Sequence, residues 1–424
     1  MVDFCKPEAT NWLTLAAGVV GGAAAGYGAS KLPVDGSVSR GFTIGAGALV
    51  GTGVGLVGTN TASWSLCQDT SDQWKYLQDG TVRTLGENSE KVGQFEQVTI
   101  NDAPLNIHYI EKGNPKAKTI VLIHGFGGNA YSFNYIFDQL AKDYHVIALD
   151  LPGHGYSNPI PEAYQISNNN EKYKDVFKEV VIPSLVKFLE QKNLSDVLVV
   201  GNSMGGEISL DLANATPRVG QLVLIGALAS PDAPIDIPWF VSMAGEAPPS
   251  LISGPTLERV ATREVLRGNI YPSARLFGDH DVTQFALPYM NGTQVTSRRV
   301  FSNYLQDALL NPKRIKERTE RQRHIQQPTL IINAENDKLI DPRIPVALNQ
   351  MIPHSALVMM MEGDFPDAGH TPMSVSGASS EAIVKMIQGF VSYKSSEFLN
   401  GFHPENKVPF RYNPLNGHYD RLTH

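Results

Sequence analysis

The chain has 424 residues, 42% of them hydrophobic, so it is long enough for a large buried core and for segments outside that core. Its formal net charge of −7 at pH 7 argues against general nucleic-acid binding, and we expect no nucleic-acid partner. The one basic cluster, residues 313–323, is interpreted as a solvated helix face, with contact to an anionic lipid surface or a carrier protein as the alternative.

The amino-terminal segment is rich in regularly spaced glycine. The first 58 residues contain 13 of the 38 glycines, and two sets recur every four positions: Gly18, Gly22, Gly26 and Gly47, Gly51, Gly55. On a helix each set forms a flat stripe that lets two backbones approach closely. The charge-free stretches 9–30 and 41–68 are long enough to cross a hydrocarbon core, which takes about 20 residues. We predict a glycine-zipper helical hairpin at 1–68 that inserts in a membrane through residues 11–58.

Other interpretations of this segment stay open. Glycine and alanine are only weakly hydrophobic, so a flexible leader or a hairpin packed on the following domain is the alternative. A cleaved signal peptide fits less well, because the start has little positive charge and a second apolar span follows. The flanking charges favour a cytoplasmic turn and an extracytoplasmic remainder. Cys5 and Cys67 flank the hairpin, so they either form a disulfide in an oxidising compartment or stay unrelated thiols.

Beyond a linker at 69–93, apolar runs alternate with helical patterns. A β-hairpin is predicted around Asn101-Asp102, and further strands at 119–123, 145–149, 197–201, 221–225, 329–333 and 356–361. This alternation predicts a mostly parallel sheet with helices on both faces. The interval 230–327 interrupts it, as a cap inserted after a strand would. The remaining predicted segments are two parts of the sheet domain and a C-terminal tail without clear periodicity: 94–229, 328–395 and 396–424.

A serine lies between two glycines where a predicted strand turns into a helix. The run Gly201-Asn202-Ser203-Met204-Gly205-Gly206 follows the apolar residues 197–200 and precedes a helical pattern. This G-x-S-x-G pattern is typical of a nucleophile elbow, a strained turn that exposes a serine hydroxyl above a sheet. The alternative is a glycine-rich turn in which the serine has no catalytic role. We predict that Ser203 is a nucleophile.

A serine nucleophile needs a base that takes its proton and a third group that orients the base. Among 11 histidines, His370 is favoured as the base because it follows the last predicted strand in a Gly-His-Thr-Pro setting. Asp337, which follows the strand at 329–333, is favoured as the orienting acid. Three acidic residues compete with Asp337: Asp232, Glu335 and Asp341. Asp232 is the main alternative acid because it follows a sheet strand, whereas Asp341 is expected to cap the next helix.

Two further features complete the predicted site. Asp364 and Asp367 lie close to His370 in sequence and are expected to be solvated loop residues. The glycine-rich turn at 124–128 follows the strand at 119–123 and lets main-chain amides point at a bound carbonyl oxygen. The amides of Phe126 and Met204 are the predicted oxyanion-hole donors. A plain strand–helix turn is the alternative for 124–128.

With these motifs, the chain resembles the α/β-hydrolase superfamily, in particular its cap-bearing esterases, acylglycerol lipases and carbon–carbon bond hydrolases. The matching stretches are 124–128, 150–157, 201–206, Asp337 and 369–370. The order Ser, Asp, His is typical of this superfamily. The resemblance implies an α/β-hydrolase fold with an eight-stranded sheet and a helical cap, no metal or cofactor, and architectural roles for His124 and 150–155. One departure is the segment 362–367, which is longer than the usual link to the histidine.

The sequence therefore predicts a membrane-associated serine hydrolase that cleaves lipid or other acyl esters through an acyl-enzyme. Serine at the elbow argues against haloalkane dehalogenase and epoxide hydrolase chemistry, which need a carboxylate there. A carbon–carbon bond hydrolase is an alternative, because the elbow resembles that of such enzymes. A membrane-interacting glycine-zipper protein with a binding-only hydrolase-like domain is another, although a complete triad speaks against it.

Overall fold

A computed structural model describes residues 93–160, 175–229, 262, 265, 285, 294–392 and 407–422. The predicted hairpin at 1–68 with its two cysteines, the linker, most of the predicted cap and the alternative acid Asp232 lie outside the described residues. Among the helices within these ranges, none combines the length and apolar character that a membrane span requires.

The described residues form one ten-stranded sheet. Its strands are β1 (Gln94–Ile100), β2 (Ala103–Lys112), β3 (Thr119–Ile123), β4 (His145–Leu149), β5 (Val197–Asn202), β6 (Val219–Ile225), β7 (Thr329–Ala334), β8 (Ser355–Met360), β9 (Phe410–Tyr412) and β10 (Tyr419–Arg421). Their spatial order is β1-β2-β4-β3-β5-β6-β7-β8-β9-β10. Neighbours from β4 to β9 pair in parallel, and the pairs β1–β2, β2–β4 and β9–β10 are antiparallel.

This architecture confirms the predicted α/β-hydrolase fold with a mostly parallel sheet. The expected number of eight strands was wrong, because β9 and β10 extend the sheet beyond β8. Both come from the tail at 396–424, and each has three residues. A strand that short is below the length at which alternating polarity can be recognised.

Helices cover both faces of the sheet. They are α1 (Asn134–Leu140), α2 (Ile182–Gln191), α3 (Met204–Ala215), α4 (Val295–Leu310), α5 (Pro312–Arg323), α6 (Arg343–Met351) and α7 (Ala378–Ser392). Successive side chains of a strand point to opposite faces. In β3, Val121 and Ile123 therefore pack in one buried cluster and Ile120 and Leu122 in another. Burial on both sides explains why the central strands are continuous apolar runs.

The predicted hairpin at Asn101-Asp102 is confirmed by the pairing of β1 with β2. Both turn residues have positive φ, 49° for Asn101 and 63° for Asp102. Two consecutive left-handed residues match the twist of a two-residue hairpin, and asparagine and aspartate tolerate that conformation better than most residues.

The basic cluster at 313–323 forms α5. Lys313, Lys316 and Arg323 are exposed, as expected of a solvated face, but the expectation was wrong for Arg318. Arg318 and Glu207 of α3 are almost fully buried, with 3.3 Å between Arg318 Nη1 and Glu207 Oε2. Arg321 Nε lies 2.8 Å from Asp211 Oδ1, also on α3. Burial raises the pKa of the Glu207 carboxyl, although Arg318 opposes that shift. Helix α5 is thus held against the helix that begins directly after Ser203.

Candidate active site

Ser203 is the single residue between β5 and α3, and its backbone is strained. Its φ of 54° and ψ of −123° lie outside the regions that non-glycine residues normally adopt. Three main-chain hydrogen bonds hold it there. Its N–H donates to Ile225 O at 3.1 Å, and its carbonyl accepts from Gly206 N at 2.9 Å and Leu228 N at 2.8 Å.

Glycines let neighbouring backbone approach this turn. A Cβ added at Gly201 would overlap the carbonyl oxygen of Gly205, and one added at Gly205 would overlap that of Ile123. At Gly125 an added Cβ would lie 2.9 Å from the Cβ of Ser203. The end of β3, the turn and the start of α3 are therefore in direct backbone contact.

The structure brings the predicted base and acid together. Asp337 follows β7 and His370 follows β8; His370 Nδ1 lies 2.9 Å from Asp337 Oδ2 and 3.1 Å from Oδ1. Their side chains are 4% and 1% exposed. Asp337 Oδ1 also accepts the amides of Leu339 and Ile340 at 2.8 and 3.1 Å, which fixes the carboxylate. With Nδ1 on the carboxylate, Nε2 is on the opposite side of the imidazole.

The Ser203 turn is linked to this pair through the end of β6. Asn202 Nδ2 donates to Ile225 O at 2.9 Å and to His370 O at 3.2 Å. Gly226 has a φ of 49°, and a Cβ there would lie 3.1 Å from Asp337 Oδ2 and 3.4 Å from His370 Nδ1. The carboxyl ends of neighbouring parallel strands thus connect the Ser203 turn to the His370–Asp337 pair. Neither Asn202 nor Gly226 was singled out as a support, because both act on residues distant in the sequence.

Of the two predicted oxyanion-hole residues, Met204 directly follows Ser203, and Phe126 directly follows Gly125, which packs against Ser203. Met204 is the first residue of α3, and an N–H in the first turn of a helix has no acceptor within that helix. Phe126 follows Gly125 in a tight turn, closed by a hydrogen bond of 3.1 Å from Gly128 N to Gly125 O. Their role as donors to an oxyanion stays a prediction.

The rival acids near Asp337 have other contacts. Asp341 Oδ1 accepts the amide of Arg343, the first residue of α6, at 2.9 Å, as expected of a capping residue. Glu335 Oε2 accepts the amide of Glu362 at 2.9 Å. Within the described part of the chain, no cluster of histidine, cysteine, aspartate and glutamate could hold a metal ion.

Buried polar residues after β3 and β4 fix the loops around the site. Asp150 accepts the amides of Ala130 and Tyr156 at 2.7 and 2.8 Å, and its Oδ2 lies 2.7 Å from His108 Nδ1. Burial alone would raise the pKa of the Asp150 carboxyl. The neighbouring His108 and the hydrogen bond from the Tyr156 amide instead hold this pKa below its ordinary value. His108 was missed in the sequence, where it is an isolated histidine within a strand.

Two further histidines in these loops are neutral packing residues. His124 Nε2 accepts the amide of Leu151 at 3.1 Å. His154 packs edge-on against Phe301 of α4, with ring centroids 4.5 Å apart. Burial lowers the pKa of both imidazoles, and that of His154 falls well below its usual range. These contacts agree with an architectural role for the 150–155 segment.

The sequence matches a family model of the alpha/beta hydrolase fold over residues 118–375, more than half of the chain. The protein therefore belongs to the alpha/beta hydrolase family. The matched segment contains all five predicted site residues: Phe126, Ser203, Met204, Asp337 and His370.

Its relatives include enzymes of two reaction classes. A 2-hydroxy-6-oxononadienedioate/2-hydroxy-6-oxononatrienedioate hydrolase of Pseudomonas putida is 26% identical over 68% of this chain and 93% of its own length. Lipase 1 of Psychrobacter immobilis is 28% identical over 62% of this chain and 75% of its own. Among solved structures, Cfl2 of Burkholderia cenocepacia superposes with a TM-score of 0.56 and 19% identity over 71% and 96% of the two chains. That structural likeness supports the fold alone.

A substitution at Gly205 tests the close packing of the turn. We expect Gly205→Ala to lower the free energy of unfolding by about 3 kcal/mol, because the new methyl group meets the main chain of β3. The control is Gly363→Ala, whose Cβ would have no atom within 4 Å and should change stability by less than about 0.5 kcal/mol. Chemical denaturation measures both, and equal stability of the two variants would contradict the packing account.

Proposed function

We propose that this hydrolase is a serine esterase that cleaves carboxylic esters carrying an acyl or other apolar group. The observation that carries the proposal is the 2.9 Å hydrogen bond between His370 Nδ1 and Asp337, linked through Asn202 to the strained turn of Ser203. A buried carboxylate that orients an imidazole next to an elbow serine is what nucleophilic acyl transfer requires.

In the proposed reaction, Ser203 Oγ attacks the ester carbonyl while its proton passes to His370 Nε2. Asp337 stabilises the imidazolium, and the amides of Phe126 and Met204 bind the negatively charged oxygen of the tetrahedral intermediate. The intermediate collapses to an acyl-enzyme as His370 gives its proton to the leaving alcohol. Water, deprotonated by His370, then attacks the acyl group and releases the acid and free Ser203. None of these steps calls for a metal or an organic cofactor.

The proposal includes a membrane tether at residues 11–58. Its support is sequence pattern alone: two charge-free stretches, each with a set of three glycines spaced four positions apart. A tethered enzyme would meet lipid esters at the bilayer surface, and the flanking charges favour an extracytoplasmic catalytic domain.

Carbon–carbon bond hydrolysis is the second candidate. The similarity to the 2-hydroxy-6-oxononadienedioate/2-hydroxy-6-oxononatrienedioate hydrolase of Pseudomonas putida, which spans 93% of that enzyme's length, favours this reaction. The same three residues would then act on a vinylogous ketone instead of an ester. Relatives named as lipases support ester hydrolysis to a similar degree.

The identity of the acid is tested by paired amide substitutions. We expect Asp337→Asn to lower kcat for ester hydrolysis by roughly 10³- to 10⁴-fold, because an amide favours the wrong imidazole tautomer and cannot stabilise the imidazolium. Asp232→Asn, the same change at the rival acid, should leave kcat within about twofold of wild type. Steady-state kinetics on a chromogenic ester distinguish them, and the reverse ranking would assign the role to Asp232.

The reaction class is tested with two substrates. We expect kcat/KM for p-nitrophenyl esters of graded chain length to exceed that for a vinylogous diketone by about 100-fold or more. Ser203→Ala should abolish both reactions and so define the background. Ser184→Ala is the matched control, since this buried hydroxyl donates only to Val180 O on its own helical segment. Turnover of the diketone without ester hydrolysis would favour the second candidate.

The tether is tested by flotation of the full-length protein with phosphatidylcholine vesicles. We expect it to float with the vesicles at high salt, because insertion is driven by apolar burial. The double variant Val19→Asp/Val20→Asp should remain at the bottom of the gradient, because each charge at the centre of a span raises the free energy of membrane insertion by about 2.5–3.5 kcal/mol. Its turnover of a soluble ester should persist. A wild-type protein that stays at the bottom of the gradient would reject the tether.

A further inference from the structure

The segment between β8 and His370, residues 361–369, is a compact turn. The amides of Asp364 and Phe365 both donate to Met361 O, at 3.0 and 2.9 Å, and the Ala368 amide donates to Phe365 O at 3.2 Å. Phe365 is fully buried. The residues that made this link longer than usual in the sequence are therefore ordered around a buried ring.

Strand β9, which belongs to the C-terminal tail, holds this turn from one side. Arg411 Nε donates to Asp364 Oδ2 and Arg411 Nη2 to Asp364 Oδ1, both at 2.6 Å, so the pair is bidentate. Asp364 is only 17% exposed, which corrects its prediction as a solvated loop residue. The next residue of β9, Tyr412, stacks on Phe365 with ring planes inclined by 26°.

The loop after β7 holds the same turn from the other side. Asn336 Nδ2 donates to Pro366 O, and Asn336 Oδ1 accepts the amide of Gly369, each at 3.0 Å. Asn336 directly precedes Asp337, and Gly369 directly precedes His370. The spacing between acid and base is therefore set by the position of the turn, which lies between Asn336 and β9.

We propose that Arg411 is a positioning residue, which through its bidentate pair with Asp364 fixes the 361–369 turn and keeps His370 aligned on Asp337. The effect of Arg411 on catalytic turnover rests on the proposed function, whereas its effect on the structure of the 361–369 segment does not. The planar guanidinium imposes two parallel hydrogen bonds, so it fixes orientation as well as distance. Displacement of a catalytic group by about 1 Å can cost about 100-fold in rate. β9 lies beyond the segment that matches the family, which ends at residue 375.

Kinetics of single and double variants test the positioning role. We expect Arg411→Ala and Asp364→Asn each to lower kcat, per titrated active site, by about tenfold with KM within about twofold. The double variant should be no worse than either single one, because both remove the same interaction. Arg411→Lys keeps the charge but cannot make the bidentate pair, so it should recover only part of the loss, to about threefold below wild type. Arg421→Ala, which removes an exposed arginine from the neighbouring strand β10, should leave kcat unchanged.

Hydrogen exchange tests the turn without reference to activity. In Arg411→Ala, peptides covering 361–369 should exchange faster than in wild type, while those covering β7 should not change. Unchanged exchange and kcat in Arg411→Ala, or an equal loss of kcat in Arg421→Ala, would overturn the proposal. A wild-type protein without ester turnover would instead contradict the proposed function, and the exchange result would then decide the role of Arg411 alone.

Discussion

The site depends on one local constraint, the left-handed backbone of Ser203 between β5 and α3. That conformation is unfavourable for serine in isolation, and it persists because three main-chain hydrogen bonds and close glycine contacts leave the turn no alternative. It lifts the side chain out of the strand and places the next amide at the start of a helix. The proposed roles of Ser203 as nucleophile and of the Met204 amide as an oxyanion donor follow from this geometry.

The rest of the fold holds partners against this turn from several directions. Helix α5 fixes α3 through arginine–carboxylate pairs, one of which, Arg318 with Glu207, is buried. Leaving one member of such a pair alone is costly, so the pairing specifies how the two helices meet. At the other end of the site, the loop after β7 and strand β9 enclose the turn that precedes His370. The alignment of base and acid is thus a property of three chain segments far apart in sequence.

Much of this arrangement could be predicted from local patterns. The hairpin at Asn101-Asp102 and the central strands are visible as turn residues and apolar runs, and G-x-S-x-G together with residue order indicated the elbow and its partners. What could not be predicted depends on distant pairings. Strands β9 and β10 are too short for periodicity, and no local signal joins Arg411 to Asp364 or Arg318 to Glu207. The same limit applies to Asp364 and Arg318, both of which were expected to face solvent.

The central claim is that this geometry makes Ser203 the nucleophile of an acyl-enzyme. Rapid mixing with an excess of a chromogenic ester, acid quenching and intact-protein mass spectrometry test it directly. The account predicts a mass increase equal to one acyl group, located by peptide mapping on Ser203 and absent from the Ser203→Ala protein. Ester turnover with no covalent adduct, or an adduct on another residue, would contradict it.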